Sequence, residues 1–297
     1  MTSTPALLAS SAVPALVRPP APAIKLVCPD CRGPVASTPG ECGQCGRQFE
    51  MLNGVPIMLP RALLDDAEAR QHALYNHVAH GYDHVFRPHV AEHYLEKRAN
   101  LVKELLPMGG VVLDVGCGTG RLGAAIAGEG YDVFGVDLSP EMVRKARERG
   151  LTGAYAAVTT ALPFADNSFD LALTVATLHH LETPDRVTRT VSEMGRVARR
   201  GGFVLLWDHN PSNPYWPIVM KRVPQDSGDE RLVPLSELLV AVRATGLAPY
   251  RVYRSGFTPD FLPSWLSKPW RWVERAVEVT PGVNLLAAHN VVVARKT

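Results

Sequence analysis

The middle of the chain alternates short apolar runs with stretches in which apolar residues recur every three or four positions. Residues 111–115 and 132–136 are apolar runs with the length of buried strands. Residues 121–128 have a helical pattern, and Ser139-Pro140 begins another helix with Ser139 as its N-cap. This strand–helix–strand–helix order predicts a parallel sheet with right-handed crossovers.

The same patterns continue toward the C-terminus. Residues 235–244 read as a helix that ends at Gly246, and residues 249–257 and 288–296 read as the last two strands. The predicted fold class is therefore α/β, with a Rossmann-like, seven-stranded, mostly parallel sheet and helices on both faces.

A glycine-rich turn joins the first predicted strand to its helix. Gly116, Gly118 and Gly120 form the turn, Asp114 precedes it, and Asp137 ends the second strand. Such turns bind nucleotides, and an acidic residue at the second strand end can accept both ribose hydroxyls. The spacing is G-x-G-x-G rather than the NAD-type G-x-G-x-x-G, and G-x-x-x-x-G-K-[ST] does not occur in the sequence.

The stretch "VLDVGCGTG" followed by "GVDLS" resembles the first two motifs of class I S-adenosylmethionine (SAM)-dependent methyltransferases. Three further stretches resemble the type 11-like, small-molecule branch of that family: "YNHVAHGYD", "ALPFADNSFDLALTVATLHHL" and "VARRGGFVLLWDH". The resemblance spans about residues 75–210. It implies SAM as the cofactor and methyl transfer as the reaction.

The resemblance also implies roles for individual residues. The three glycines let the backbone approach the methionine part, Asp114 lies near its amino group, Asp137 holds the ribose hydroxyls and Leu138 covers the adenine. Tyr75 and Tyr82 close over the methionine end. Where many relatives have Gly-Asp before "LPF", this chain has Ala157-Val158-Thr159, so Thr159 or the backbone replaces that adenine contact. The predicted cofactor-binding set is Tyr82, Asp114, Gly116, Cys117, Gly118, Gly120, Asp137, Leu138 and Thr159.

Candidate catalytic residues follow the predicted fourth and fifth strands. Methyl transfer from a sulfonium needs a positioned acceptor and only sometimes a base that removes its proton. His179 and His180 follow one strand, and Asp208 and His209 end the next. We predict His180 as the catalytic residue, while a structural or cofactor-contacting role stays open for each of the four.

Four cysteines near the N-terminus have the spacing C-x2-C-x10-C-x2-C: Cys28, Cys31, Cys42 and Cys45. Two such pairs can hold one tetrahedral Zn2+, and four thiolates leave no open position, so the zinc is predicted to be structural. The module resembles a zinc ribbon. We expect it to form a rigid cap, beside the mouth of the active site.

Composition sets the predicted organisation. The net charge of +2 over 297 residues gives no strong field toward nucleic acid. The predicted domains are a disordered tail (1–24), the ribbon (25–60) and the methyltransferase domain (61–297), with substrate or lid insertions in 210–285. No export signal or run of ~18 apolar residues is seen, so a cytoplasmic protein is expected.

These observations predict SAM-dependent methyl transfer to a small-molecule, lipid or glycan acceptor. One alternative is methylation of guanine N1 in ribosomal RNA, since bacterial enzymes of that kind also place a zinc ribbon before this fold. Another is a non-catalytic protein that binds a partner. The aromatic-basic segment 261–275 contains Trp265, Trp270 and Trp272. It is a helix that packs its tryptophans on the body, a lid, or a peripheral membrane contact.

Overall fold

A computed structural model describes residues 23–36, 40–61, 66–221 and 230–297 of the chain. The predicted tail, residues 1–24, lies outside the described residues except for its last two. The predicted domain boundaries stay a prediction.

The N-terminal segment contains three short antiparallel strand pairs. They are β1 (Leu26–Val27) with β2 (Pro34–Val35), β3 (Gly40–Glu41) with β4 (Gln48–Phe49), and β5 (Met51–Leu52) with β6 (Val55–Pro56). Cys28 and Cys31 lie between β1 and β2, while Cys42 and Cys45 lie between β3 and β4. The two cysteine pairs are therefore carried by two matching turns.

Seven strands form the central sheet: β7 (Gly110–Val115), β8 (Tyr131–Asp137), β9 (Gly153–Ala156), β10 (Phe169–Val175), β11 (Ala198–His209), β12 (Ala248–Ser255) and β13 (His289–Arg295). Their order is β12-β13-β11-β10-β7-β8-β9. Pairing is parallel from β11 to β9, whereas β13 runs antiparallel to both of its neighbours. The predicted seven-stranded, mostly parallel sheet is confirmed.

Helices cover both faces of this sheet, as predicted. They are α1 (Asp66–Val78), α2 (Pro88–Leu105), α3 (Arg121–Ile126), α4 (Pro140–Glu148), α5 (Pro184–Val197), α6 (Trp216–Val219), α7 (Leu235–Ala244) and α8 (Ser267–Val279). Val111 and Leu113 of β7 enter a core with α5 and α7, while Val112 enters a second core with α2, α3 and α4. The apolar run 111–115 is buried on both faces, which explains why it does not alternate with polar residues.

The cysteine-bearing segment packs on the edge of the sheet. Ile57 pairs with Ala156 of β9, and the N–H of Met58 donates to the Ala156 carbonyl at 2.8 Å. The side chains of Cys28, Phe49 and Met58 belong to the core that contains α5. This contact covers the exposed edge of β9 and makes the segment part of the fold.

The aromatic-basic segment forms a short 3-10 turn and α8. Trp270 stacks on Phe257, with ring centroids 6.1 Å apart, and donates to the Phe257 carbonyl at 2.7 Å. Trp265 and Trp272 are 76% and 81% exposed. The interpretation in which the helix packs its tryptophans on the body is therefore right for Trp270 and wrong for the other two. No helix among the described residues is both long and apolar enough to cross a membrane.

Candidate functional site

A cleft opens at the carboxyl ends of β7, β8 and β9, where an open α/β sheet places its ligands. It contains about 700 Å³ of empty space, part of it open to solvent. Six of the predicted cofactor-binding residues line it: Tyr82, Gly116, Gly118, Asp137, Leu138 and Thr159. The structure therefore brings most of the predicted cofactor set together around one opening.

The glycine turn has the backbone shape that the sequence predicts. Gly116 and Gly118 have φ values of 76° and 51°, in the left-handed region. A Cβ on Gly116 would lie 2.3 Å from Oγ1 of Thr177, so a side chain has no room there. The turn can pack this closely against the residues after β10 only because position 116 is glycine.

Asp137 stands at the end of β8 and faces this turn. Its Oδ2 accepts a hydrogen bond from the N–H of Gly118 and its Oδ1 from the N–H of Ser139, both at 2.9 Å. Burial raises the pKa of Asp137, and these backbone donors oppose that rise. Ser139 caps α4 as predicted, since its Oγ accepts from the N–H of Met142.

Three predicted cofactor-binding residues lie behind the cleft wall rather than on it. Asp114 is 4% exposed, and burial, followed by the charge of Asp137, raises its pKa to about 7. The side chain of Cys117 points into the core, where a Cβ on Gly135 would come within 2.7 Å of its sulfur. Gly120 packs against Ala146 of α4. The side chain of Cys117 therefore packs the turn onto the sheet, and its place in the cofactor-binding set stays a prediction.

Helix α1 and the 3-10 turn after it are held beside the cleft by residues that the sequence did not single out. The Ser139 hydroxyl donates to the side-chain oxygen of Asn76 at 2.6 Å. Asp83 accepts from the Thr119 hydroxyl at 2.8 Å and forms an ion pair with Arg149. Asn76 and Asp83 both lie in "YNHVAHGYD", so the motif itself was the available signal.

A second cavity adjoins the cleft and contains about 1270 Å³ of empty space, part of it open to solvent. The two share Tyr75, Tyr82, Ala176 and His180 as walls. Much of the remaining lining comes from α2, α6 with the preceding Tyr215, and the ends of β11 and β13, and it includes Tyr94 and Trp216. The aromatic walls fit a flat or apolar small molecule better than a fully hydrated one.

The two adjacent histidines after β10 have different partners. Nδ1 of His179 lies 2.8 Å from Oδ1 of Asp208, and these side chains are 2% and 0% exposed. Asp208 also accepts from the N–H groups of Leu178 and His209. Nε2 of His180 instead lies 2.7 Å from the hydroxyl of Tyr75. His179 is therefore paired with a carboxylate, whereas His180 contacts a tyrosine hydroxyl.

The four N-terminal cysteines converge on one point. Sγ of Cys28 lies 3.8 Å from Sγ of Cys45, and Sγ of Cys31 lies 3.5 Å from Sγ of Cys42. A tetrahedral site with metal–sulfur bonds of ~2.3 Å separates its sulfurs by about 3.8 Å. Backbone N–H groups, that of Cys45 foremost, lower the pKa of Cys42 to about 7, which favours its thiolate. The sulfur atoms fit a single metal ion.

Comparison with known proteins agrees with this geometry. Residues 113–206, which include the glycine turn and the histidine pair, match the family described as Methyltransferase domain. Residues 113–206 therefore carry a methyltransferase domain. The class predicted from the sequence is confirmed at the level of this domain.

Three relatives show how broad the likeness is. The chain is 29% identical over 212 aligned residues to the 2-methyl-6-phytyl-1,4-hydroquinone methyltransferase of Synechocystis, and the match covers 65% of this chain and 66% of that one. Another stretch is 36% identical to the tRNA (carboxymethyluridine(34)-5-O)-methyltransferase of Arabidopsis thaliana, covering 35% and 25%. A solved SAM-dependent methyltransferase of Thermotoga maritima matches with a TM-score of 0.58 and 22% identity, over 76% of this chain and all of that one.

The chain thus spans 66% of the length of one curated relative and 25% of the other. The names of these relatives cover both small-molecule and tRNA acceptors. The methyltransferase domain is therefore established, whereas the acceptor has to be argued from the cavity itself.

Proposed function

We propose that the protein transfers a methyl group from SAM to a small-molecule acceptor that binds in the cavity beside the cofactor cleft. One observation carries this proposal: the cleft and the cavity share Tyr75, Tyr82, Ala176 and His180 as a common wall. Because these residues line both openings, a cofactor in the cleft and an acceptor in the cavity would lie next to each other. Holding two reactants together supplies much of the catalysis of a transfer reaction.

In the cleft, Asp137 binds the ribose hydroxyls, Leu138 and Thr159 contact the adenine, and the turn from Gly116 to Gly118 lies against the methionine part. Asp114, behind this turn, stabilises the cofactor ammonium through water. When bound, SAM would supply a methyl group on a positively charged sulfur, which is a good leaving group toward an acceptor lone pair.

His179 is the proton acceptor in this proposal, in place of the predicted His180. Asp208 fixes the His179 ring through Nδ1, so that Nε2 can take the proton of an acceptor hydroxyl or amine. Nε2 of His180 is occupied by the Tyr75 hydroxyl, and burial keeps the pKa of His180 well below its usual value. His180 then positions Tyr75 at the shared wall.

We also propose that the four cysteines bind one structural Zn2+. Their sulfurs supply all four ligands and leave no position for a substrate or a reactive water. The described residues of this segment line neither the cleft nor the cavity. The segment contacts the edge strand β9 and residues 162–165. The expected cap at the mouth of the active site stays a prediction.

RNA remains the second candidate acceptor, because one relative named above is a tRNA methyltransferase. The small net charge of +2 argues against a large phosphate-binding surface. Incubation of the protein with methyl-labelled SAM and a cell extract, followed by separation of RNA, protein, lipid and small molecules, decides between the acceptors. Label confined to RNA would contradict our proposal.

Asp137→Asn should weaken binding of S-adenosylhomocysteine (SAH). Loss of a charged acceptor for the ribose hydroxyls costs ~1.5–3 kcal/mol, which is about ten- to a hundredfold in affinity. Isothermal titration calorimetry measures this change, and Asp185→Asn, on the exposed start of α5, is the matched control. Equal affinities for the two variants, or no SAH binding by the unmodified protein, would sink the proposed cofactor site.

His179→Gln should lower turnover by about 10²- to 10⁴-fold while SAH affinity stays unchanged, because only proton removal is lost. Asp208→Asn should act in the same direction and move the pH profile, since the ring loses its fixed tautomer. His77→Gln, at an exposed position of α1, is the control. Full activity of His179→Gln, or a strict need for an added divalent metal bound by His179, Asp208 and His209, would refute this role.

Purified protein should contain about one zinc per chain, and Cys42→Ser should lose it. The unfolding temperature should fall with the metal, because structural zinc supplies much of the folding energy of its site and this segment shares its core with α5. Metal analysis and thermal unfolding measure both effects. Cys117→Ser, outside the cluster, should keep the zinc. Purified wild-type protein without zinc, or an unfolding temperature that stays the same when the zinc is lost, would rule the site out.

The membrane contact predicted for residues 261–275 stays a prediction, supported by the exposed Trp265 and Trp272 beside Lys268 and Arg275. Co-sedimentation with phosphatidylglycerol vesicles should fall in the double variant Trp265→Ala/Trp272→Ala, because it loses the apolar anchors. Tyr250→Ala, on β12, is the control. Equal sedimentation with vesicles of neutral lipid would argue against this surface.

A further inference from the structure

One cation in the acceptor cavity has no charged partner at its side chain. Arg98 lies on α2 and lines this cavity. Its guanidinium rests against the rings of Tyr94 and Trp207, at 5.8 and 5.7 Å from their centroids. Its buried Nε has no hydrogen-bond partner among the described residues, and Arg98 takes part in none of their ion pairs.

Two of the other three charged side chains of the described lining, Arg121 and Asp83, have an oppositely charged partner. Arg121 lies 3.7 Å from the Glu92 carboxylate. Asp83 pairs with Arg149, and Asp260 accepts a hydrogen bond from the Tyr215 hydroxyl. A half-buried cation without an oppositely charged partner is one that a ligand anion can compensate, and Arg98 is the one arginine of the described lining in this position.

The carboxyl group of Asp114 does not fully compensate the positive charge of Arg98. Asp114 interacts with the guanidinium only at longer range, and burial raises the pKa of Asp114 to about 7, so near neutral pH it is partly protonated. Burial in turn lowers the pKa of Arg98 to about 10, which still leaves it protonated at neutral pH. The guanidinium of Arg98 therefore keeps its positive charge at this wall of the cavity.

The neighbouring imidazoles add polarity but no charge. Burial keeps the pKa values of His209 and His289 well below the usual range, and the charge of Arg98 lowers them further. Nδ1 of each ring is buried without a hydrogen-bond partner among the described residues. A polar ligand group beside Arg98 would satisfy these atoms directly or through water.

We propose that Arg98 binds a carboxylate of the acceptor, so that the methylated molecule is a small organic acid. This inference rests on the proposed function. One unpaired guanidinium beside neutral imidazoles matches a single negative charge, and the planar fork of arginine suits the two oxygens of a carboxylate. A phosphate monoester carries close to two charges and would leave one uncompensated.

Calorimetry with SAH-saturated protein tests this with probes of one size. The probes are 4-hydroxybenzoate, its neutral analogue 4-hydroxybenzyl alcohol, and phenyl phosphate. The wild-type protein should prefer 4-hydroxybenzoate to the alcohol by about tenfold or more, the range of one charge-assisted contact. Equal affinities, the absence of measurable binding by the acid, or tighter binding of phenyl phosphate would overturn the carboxylate assignment.

Arg98→Met should abolish the preference for the acid while affinity for the alcohol stays the same. Arg98→Lys should retain part of the preference, and it covers the case in which loss of the buried charge unfolds the protein. Arg271→Met is the matched control, since Arg271 pairs with Glu96 on the outer side of α2. A preference that survives in folded Arg98→Met would contradict the assignment.

SAH binding and the label-transfer experiment together distinguish failure of this proposal from failure of the proposed function. Absence of SAH binding would sink the methyltransferase proposal itself. Normal SAH binding and label transfer to neutral or cationic molecules, without preference for acids, would sink only the role of Arg98.

Discussion

The close packing of Gly116 against Thr177 is the contact on which the site depends. A Cβ at position 116 would lie 2.3 Å from Oγ1 of Thr177, and the same hydroxyl donates to the Val175 carbonyl at 3.2 Å. This contact joins the turn after β7 to the turn after β10. The first turn forms the floor of the proposed cofactor cleft and the second continues into His179 and His180. The proposed cofactor site and the proposed proton acceptor therefore stand on adjacent strands of one sheet.

Burial also influences the charges of the polar groups that line the two openings. In the cleft, backbone N–H groups hold Asp137, while Asp114 lies beneath the turn, where a cationic cofactor would favour its ionised form. In the cavity, burial keeps His180 and His209 neutral, and Arg98 retains its charge. A cationic cofactor and an anionic acceptor would thus each meet complementary charge, which also keeps them from exchanging places.

Local sequence patterns were sufficient for the parts of the structure that are themselves local. The Ser139 cap, the glycine turn and the helix 235–244 each depend on neighbours within a few residues, and all three appear as predicted. The choice between His179 and His180 could not be made in this way. It depends on Asp208, 29 residues after His179, which the pairing of Val175 with Trp207 brings into reach. The isolation of Arg98 is equally non-local, since it follows from where Glu92 and Asp83 find their partners.

The contacts of the cysteine segment indicate which part of the protein its loss would affect. Arg32 donates to the Leu162 carbonyl at 3.1 Å and pairs with Glu193 of α5 at 2.7 Å. One turn earlier on α5, the Thr190 hydroxyl bonds that of Thr159 in the cleft wall at 2.9 Å. The segment and the adenine side of the cleft are therefore supported by the same face of one helix. The described residues of the segment do not line the proposed acceptor cavity. Loss of the segment should therefore affect the proposed cofactor cleft more than the acceptor cavity.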